Sequence, residues 1–372
     1  MTNGPRYAVS SKSKLFKADA GTVIGPDERF NILGLHHSAA TTPLPTAQST
    51  YIAQDTKTNE FVTLTILNDE ETVSYQETSQ DRIENTLRKD SRAVDHVILA
   101  ADSLILETPS ANRCLVHELT GPNLYMVLEL NDTFLPADWI WKAFKDALSS
   151  LAILHARKMV HGDIRAWSLV ITYSKVDAAN ADQVRNTYGP LSESNGAFEF
   201  NATGTGNEQM RPNLDFQLKL HRLDQAFIVG DNIPDTAQYQ LPGPSPPEIQ
   251  STGPTPATDI WYLASIFLNL ATGTPSESHF LDANGSALSS SISSTQEALY
   301  AAAYKQRTYM RPESELIEES GSGDFSVDEL RVLSDLLAHL LVTDPEQRFT
   351  AEQALQHEFF AVQRPVSAAA EE

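Results

Sequence analysis

The stretch VHGDIRAWSLVI, Val160 to Ile171, sets a carboxylate, Asp163, two residues from a guanidinium, Arg165, between apolar flanks. A carboxylate in that setting can take a proton from a hydroxyl as a general base, and an arginine beside it can meet a phosphate. Asp163 can equally serve its own loop by accepting hydrogen bonds, so base and structural relic both stand as its roles. His161 and Ser168 share the stretch. A second charged pair, Arg222 and Asp224, lies in LKLHRLDQAFIV, Leu218 to Val229, just after Phe216, Leu218 and Leu220 alternate in strand fashion.

In type and order these segments resemble the eukaryotic protein kinases. That family's catalytic loop reads His-x-Asp-x-Lys-x-x-Asn, where the Asp is the base and the Asn holds magnesium. Here Arg165 stands for the Lys and Ser168 for the metal-binding Asn. The next motif should supply a second metal-binding Asp. Aligned through Lys219, Leu220, Leu223, Ala226 and Val229, that position is Arg222; the rival register makes it Asp224, with two residues inserted. SPPEI, Ser245 to Ile249, resembles Ala-Pro-Glu, and ATDIWYLASIFLNLATG, Ala257 to Gly273, resembles the buried helix of the large lobe. Asp344, Pro345 and Arg348 match Asp-Pro-x-x-Arg. The resemblance makes His161, Glu248, Asp259 and Arg348 structural, with Arg348 pairing to Glu248 and Asp259 bonding the catalytic-loop backbone. Within the kinases, CLVHELTGPNL, Cys114 to Leu124, is similar to the hinge of the serine/arginine-rich-protein kinases. Gly162, replacing an Arg of many kinases, belongs to that group too, as does a spacer in the large lobe.

Upstream the chemistry thins. FVTLTILND, Phe61 to Asp69, has the pattern of the family's Val-Ala-x-Lys strand, but Thr65 stands for the phosphate-gripping Lys and Thr63 for the Ala that lines adenine. Lys57 is in the preceding turn and cannot deputise. The segment after Arg29 to Leu35 is HHSAATTPLPTAQS rather than a glycine loop, and its prolines offer no amide to a phosphate. Glu84 is the helix carboxylate aligned with the partner of the missing Lys. The resemblance thus makes Thr63, Thr65, Glu118, Val170 and Arg222 the lining of a degenerate nucleotide cleft. It leaves no metal ligand, because Ser168 and Arg222 replace both, Asp224 being the alternative. Arg222 needs a carboxylate, and homology offers Asp163 and Glu84.

The resemblance implies an α+β, bilobal protein-kinase-like fold with a β-rich small lobe and a mainly helical large lobe to position these residues. Residues 1–24 read as a flexible tail, although Leu15 and Phe16 could dock. The small lobe spans 25–120 and the large lobe 121–362, the latter interrupted by a polar insert, about 174–213, read as a mobile loop; 363–372 form a C-terminal tail. Strands are expected around Arg29–Leu35, Thr50–Gln54, Phe61–Leu67, Val97–Leu106 and Cys114–Glu118, and helices around Gln76–Lys89 and Ala137–Arg157.

The formal charge of −22 opposes nucleic-acid binding and favours a basic protein partner, and the resemblance implies an Arg/Ser-rich one. Acidic residues of Pro312 to Glu329 could supply that surface or merely a solvated face. No run of eighteen apolar residues occurs and nothing reads as a signal peptide, so no membrane association is expected. The single cysteine, Cys114, fits a reducing compartment, cytoplasm or nucleus. The ten histidines show no metal-ligand spacing. The resemblance, with its packing motifs kept and its chemical positions replaced, implies a pseudokinase acting as an interaction or allosteric module, with no cofactor expected. The first alternative is a weakly active serine/threonine kinase using ATP and magnesium, with Asp163 as base and Asp224 as displaced ligand. The second is a small-molecule phosphotransferase.

Overall fold

The computed structural model describes residues 16–36, 48–68, 72, 80–106, 111–125, 127, 135–173, 177–180, 182–184, 193–194, 197–198, 216–231, 245–272 and 325–361. In chain order the elements begin with β1 (Val23–Ile24), β2 (Phe30–His36), β3 (Gln48–Asp55), β4 (Glu60–Leu67), α1 (Gln80–Leu87), α2 (Ser91–His96), β5 (Asp102–Leu106) and β6 (Asn112–Glu118). Next come α3 (Ala137–His155), β7 (Met159–Val160), β8 (Leu169–Thr172), β9 (Glu193–Ser194), β10 (Ala197–Phe198), β11 (Gln217–Leu220) and β12 (Phe227–Ile228). Helices α4 (Ile249–Thr252), α5 (Pro256–Thr272), α6 (Val327–Leu340), α7 (Ala351–Leu355) and α8 (Glu358–Ala361) follow. The described residues divide between two compact units. The first draws on Met1–Leu130, Ala166–Met210 and Asp215–Ala226, the second on Asn131–Arg165, Arg211–Leu214 and Phe227–Glu372.

The first unit is built on a sheet in the order β5-β6-β4-β3-β2-β10-β9, with β1 pairing beside β2. Alternation along β4 sends Val62, Leu64 and Ile66 to one face, where Phe30, Ile32, Tyr51, Cys114 and Val116 complete an apolar cluster. Cys114 is fully buried there, and burial pushes its thiol up to about 12. Residues 16–24 are held against this unit rather than trailing as a tail. Phe16 buries beside Tyr51, its carbonyl accepts the Ser49 and Tyr51 hydroxyls at 2.8 and 3.0 Å, and β1 pairs with β2. α1 turns Ile83, Glu84 and Leu87 inward, the i, i+1, i+4 spacing of a helix face. α2, absent from the sequence expectations, starts at Asp90, whose carboxylate caps the Arg92 N–H at 2.9 Å.

Two segments assigned by sequence to the large lobe belong to this first unit. β8 and β11 pair antiparallel, Val170 opposite Lys219, and single bridges tie Asn123 to Val170 and Val97 to Leu220. The described part of the polar insert is not a mobile loop. β10 runs parallel to β2, the Phe61 N–H donates to the Ala178 carbonyl at 2.9 Å, and Val184 is buried with Ile52, Phe61 and Leu119. A composition scan gives one apolar side chain in a polar stretch no weight, yet one is enough to dock a turn. The rest of the insert, the proline segment 37–47, most of the acidic stretch from Pro312 and the C-terminal tail lie outside the described residues.

The second unit is helical. α3 buries Ile140, Phe144, Leu148, Leu151 and Leu154 along one stripe, and Phe144 stacks on Phe267 of α5 with ring centroids 4.1 Å apart. α5 is apolar nearly all round and correspondingly buried. α6 and α7 open on capping boxes, Ser326 with Glu329 and Thr350 with Gln353. β7 and β12 pair antiparallel, Val160 opposite Phe227. No described helix is long and apolar enough to cross a membrane.

In the first unit, His117 on β6 meets His221 after β11 edge to face, with ring centroids 5.3 Å apart. Burial drives the His117 imidazole down to about 4, against a favourable contact with the Leu99 backbone and with the Arg88 charge acting in the same downward direction. His221 is also held well below the ordinary value by burial, then by His117 and Arg222, with Asp224 opposing and His36 adding to the effect. A histidine depressed in the folded state binds its proton more readily when unfolded. Stability is therefore fully present above about pH 6.5 and is lost as the pH falls toward about 4. For His117 alone the drop amounts to about 3 kcal/mol. Urea unfolding between pH 8 and 4 should show the midpoint falling through this window, and His117→Phe should flatten the fall; an unchanged slope in that variant would contradict the assignment.

Candidate functional site

On β4 the face opposite the apolar cluster carries Phe61, Thr63 and Thr65, and the ladder sets Ile52 opposite Thr63 on one side and His117 on the other. Thr63 is buried, and its hydroxyl accepts the Thr120 N–H at 2.9 Å while lying 3.0 Å from the Thr120 hydroxyl. His36 Nε2, at the end of β2, is 3.3 Å from the Thr120 carbonyl. The backbone donor and acceptor of the residue following β6 and Leu119 are thus both engaged by side chains of the same unit. Thr65 Oγ1, opposite Thr50 on β3, is buried with no hydrogen-bond partner among the described residues. A buried hydroxyl in that state costs about 1–3 kcal/mol.

The other residues assigned to the cleft are similarly occupied. Glu118 Oε1 and Oε2 accept from Lys219 Nζ at 2.7 and 3.0 Å, and the same ammonium reaches the Val94 carbonyl at 3.0 Å. Val170 is buried in the β8–β11 pair. Ser168 is buried, and its carbonyl accepts the His221 N–H at 2.7 Å. Arg222 takes a left-handed backbone, φ 65°, and its Nη2 and Nε meet Asp224 Oδ2 and Oδ1 at 3.3 and 3.4 Å. Burial raises the Asp224 carboxyl, but the Arg222 charge and the Arg222 and Gln225 hydrogen bonds outweigh it and hold the group down at about 2. Glu84 accepts the Ala100 N–H at 3.0 Å and the Arg88 guanidinium at 2.8 Å. Asp224, two residues on, is thus one carboxylate partner of Arg222, in addition to the Asp163 or Glu84 expected from homology.

The second unit holds the loop that carries Asp163. The Asp259 carboxylate, from the first turn of α5, accepts the His161 N–H at 2.8 Å and the Gly162 N–H at 3.0 Å, and His155 Nε2 lies 3.1 Å away. Gly162 needs to be glycine, since its φ is 78°. The Asp163 N–H donates to His161 Nδ1 at 3.2 Å, so the ring proton of a neutral His161 sits on Nε2. Asp163 is 1% exposed, and its Oδ1 accepts Arg165 Nε at 2.6 Å. Arg348 forks onto Glu248 at 2.6 and 3.1 Å and lies over the Trp261 ring. Tyr262, passed over in the sequence because it sits within an apolar helix, contributes a phenol that burial pushes up to about 12 near the Asp163, Arg165 and Asp259 charges.

One described trio has metal-ligating composition and escaped the motif search because it joins two helical segments. Asp335, His339 and His357 bring a carboxylate oxygen and a nitrogen of each ring within 4.8 Å of one another. Hydrogen bonds already use these groups. His357 Nδ1 accepts the Phe359 N–H at 3.3 Å, which leaves Nε2 to donate to Asp335 at 3.0 Å, and His339 Nδ1 meets the Asp335 carbonyl at 2.9 Å. The trio therefore clamps α6 to the α7–α8 turn.

No family model matches the sequence, and no curated protein does. Among solved structures the chain is similar to the crystal structure of the PF14_0431 kinase domain, with TM-score 0.56 and 14% identity over 93% of this chain and 98% of that one. With its strand-rich first unit and helical second unit, the chain has a protein-kinase-like α+β fold.

Proposed function

We propose that this kinase-like chain is a catalytically impaired pseudokinase, closest in kind to the serine/arginine-rich-protein kinases, that works as an interaction or allosteric module without nucleotide. The observation that carries the reading is the capping of Thr120 by Thr63 and His36. A nucleotide base using those backbone groups would have to break bonds the protein has already made. The charge chemistry agrees. Phosphoryl transfer rests on positioning and on neutralising phosphate charge, and the strand position given to a cation by the resemblance holds Thr65. Losing one stabiliser of developing charge costs on the order of 10² to 10³ in rate. Losing several leaves activity near background even where the effects do not add. Asp163 Oδ1 is already engaged by Arg165. The formal charge of −22 favours a basic, Arg/Ser-rich protein as partner.

One observation favours the weakly active kinase instead: Asp224 stays ionised and is chemically able to hold magnesium. Its bonds to Arg222 stand against that reading, because a metal would have to displace a guanidinium from the same oxygens.

Substitution of the two strand threonines separates capping from mere burial. Thr63→Val strands the Thr120 N–H and should cost about 1–3 kcal/mol in urea unfolding, whereas Thr65→Val removes an unpaired hydroxyl and should be neutral or stabilising. Equal costs would sink the capping argument. Binding is read by thermal shift: ligand at a hundred times Kd adds about 2.7 kcal/mol. ATP at millimolar concentration should give no magnesium-dependent rise of that size, and an Arg/Ser-repeat peptide should gain no more phosphate than with the Asp163→Ala chain. Metal-dependent stabilisation, or incorporation lost on Asp163→Ala, would overturn the pseudokinase reading.

A further inference from the structure

The stretch Asp177–Val184 has more internal structure than a surface connection requires. The Asn180 side chain accepts the Asp182 and Gln183 N–H groups, each at 3.1 Å, and so caps a single helical turn. The Asp177 carboxylate accepts the Ala179 N–H at 2.9 Å, and Gln183 Oε1 accepts the Asp177 N–H at 3.0 Å, closing the turn on itself. The Val184 N–H bonds back to the Asn180 carbonyl at 3.0 Å. A turn tied in this way loses little further freedom when it docks.

Its docking place is specific. Val184 is 1% exposed and joins Ile52, Phe61 and Leu119, with Leu33 and Tyr173 packed against the group. The Ala178 carbonyl takes the Phe61 N–H, the donor at the open end of β4. Ile52 and Phe61 lie on the same face as Thr63 by strand alternation, and Ile52 is its direct cross-strand partner. The turn therefore covers the face that the degenerate-cleft reading assigns to a nucleotide base, beside the Thr63–Thr120 cap.

We propose that residues 177–180 and 182–184 form an intramolecular plug over the base-facing surface of the first unit, and that its displacement bares the apolar surface of Ile52, Phe61 and Leu119 for a planar heteroaromatic of purine size, which stacks there without using the capped Thr120 backbone. The proposal rests on the cleft assignment made above and adds its regulation. A site open only part of the time binds with its intrinsic affinity scaled by the open fraction, so a plug open about 1% of the time weakens binding about a hundredfold. Whatever releases the plug would convert a closed module into a ligand-responsive one without any change at Thr65 or Arg222.

The test uses the full chain and adenosine, which carries no phosphate and needs no metal. Asn180→Ala uncaps the turn, and Val184→Asp places a charge in the apolar group. Isothermal titration should give no measurable adenosine binding to the unmodified chain and binding at least about tenfold tighter for either variant. Amide exchange gives a second reading that does not depend on the ligand. In Asn180→Ala the Phe61 N–H should lose protection while the Leu64 N–H, within the strand ladder, keeps it. Folded variants that bind no adenosine, or a Phe61 amide that stays protected in Asn180→Ala, would overturn the plug. Adenosine binding equal in all three chains would overturn it as well. These outcomes are distinct from failure of the pseudokinase reading, which is read from magnesium-dependent ATP stabilisation of the unmodified chain.

Discussion

A single buried carboxylate organises the second unit. Asp259 receives two consecutive backbone N–H groups from the loop at His161 and Gly162 and faces the imidazole of His155 at the end of α3. The end of α3 and the loop that follows it thereby share one acceptor on the distant helix α5, and because Asp259 is buried each bond is worth more than it would be in water. The constraint fixes the left-handed turn at Gly162 and with it the direction in which Asp163 leaves the loop. Arg348 and Glu248 make a comparable tie further along the chain, with Trp261 beneath the guanidinium. These bonds serve architecture, and they persist where side chains assigned to phosphate and metal chemistry are replaced.

The first unit shows the other side of that substitution. Position 65 holds no lysine, and several polar groups of this unit are satisfied locally: hydroxyl to amide at Thr63 and Thr120, imidazole to carbonyl at His36, ammonium to carboxylate between Lys219 and Glu118. Thr65 Oγ1 is one of the buried side-chain atoms with no hydrogen-bond partner among the described residues, and it lies where the resemblance places a charge. The cations lie elsewhere. Lys219 is on β11 and Arg222 just beyond it, each bound to a carboxylate of the same unit.

The fold class was legible because motifs resembling one family fall in its order along the chain, and strands such as Phe61–Leu67 and helices such as Ala137–His155 were placed by their periods of two and 3.6 residues. Motif spacing also singled out Asp259, Glu248 and Arg348, since each sits in a short segment of fixed geometry. The Thr63–Thr120–His36 arrangement left no such trace, joining residues 57 and 84 positions apart through side chains common on any strand. Arg222 and Asp224 competed for one alignment position, whereas in space they are partners. The insert was misread because composition averages over a segment, while docking depends on Val184 alone and on backbone bonds that carry no side-chain signature. For residues 16–24 the docking open to Phe16 in the sequence is what the structure shows, and the tail reading fails there.

Cys114 gives the molecule an internal clock. Its thiol lies at the centre of the first unit's apolar cluster, and burial holds it protonated up to about 12. Alkylation requires both access and thiolate, and neither exists while the sheet is closed. Every modification event therefore records an opening of β6 away from its neighbours. With reagent in excess the labelling rate becomes the opening rate of that sheet, and at lower reagent it becomes the opening equilibrium. Since the chain has no other cysteine, the signal comes from one strand, free of contributions from the helical unit.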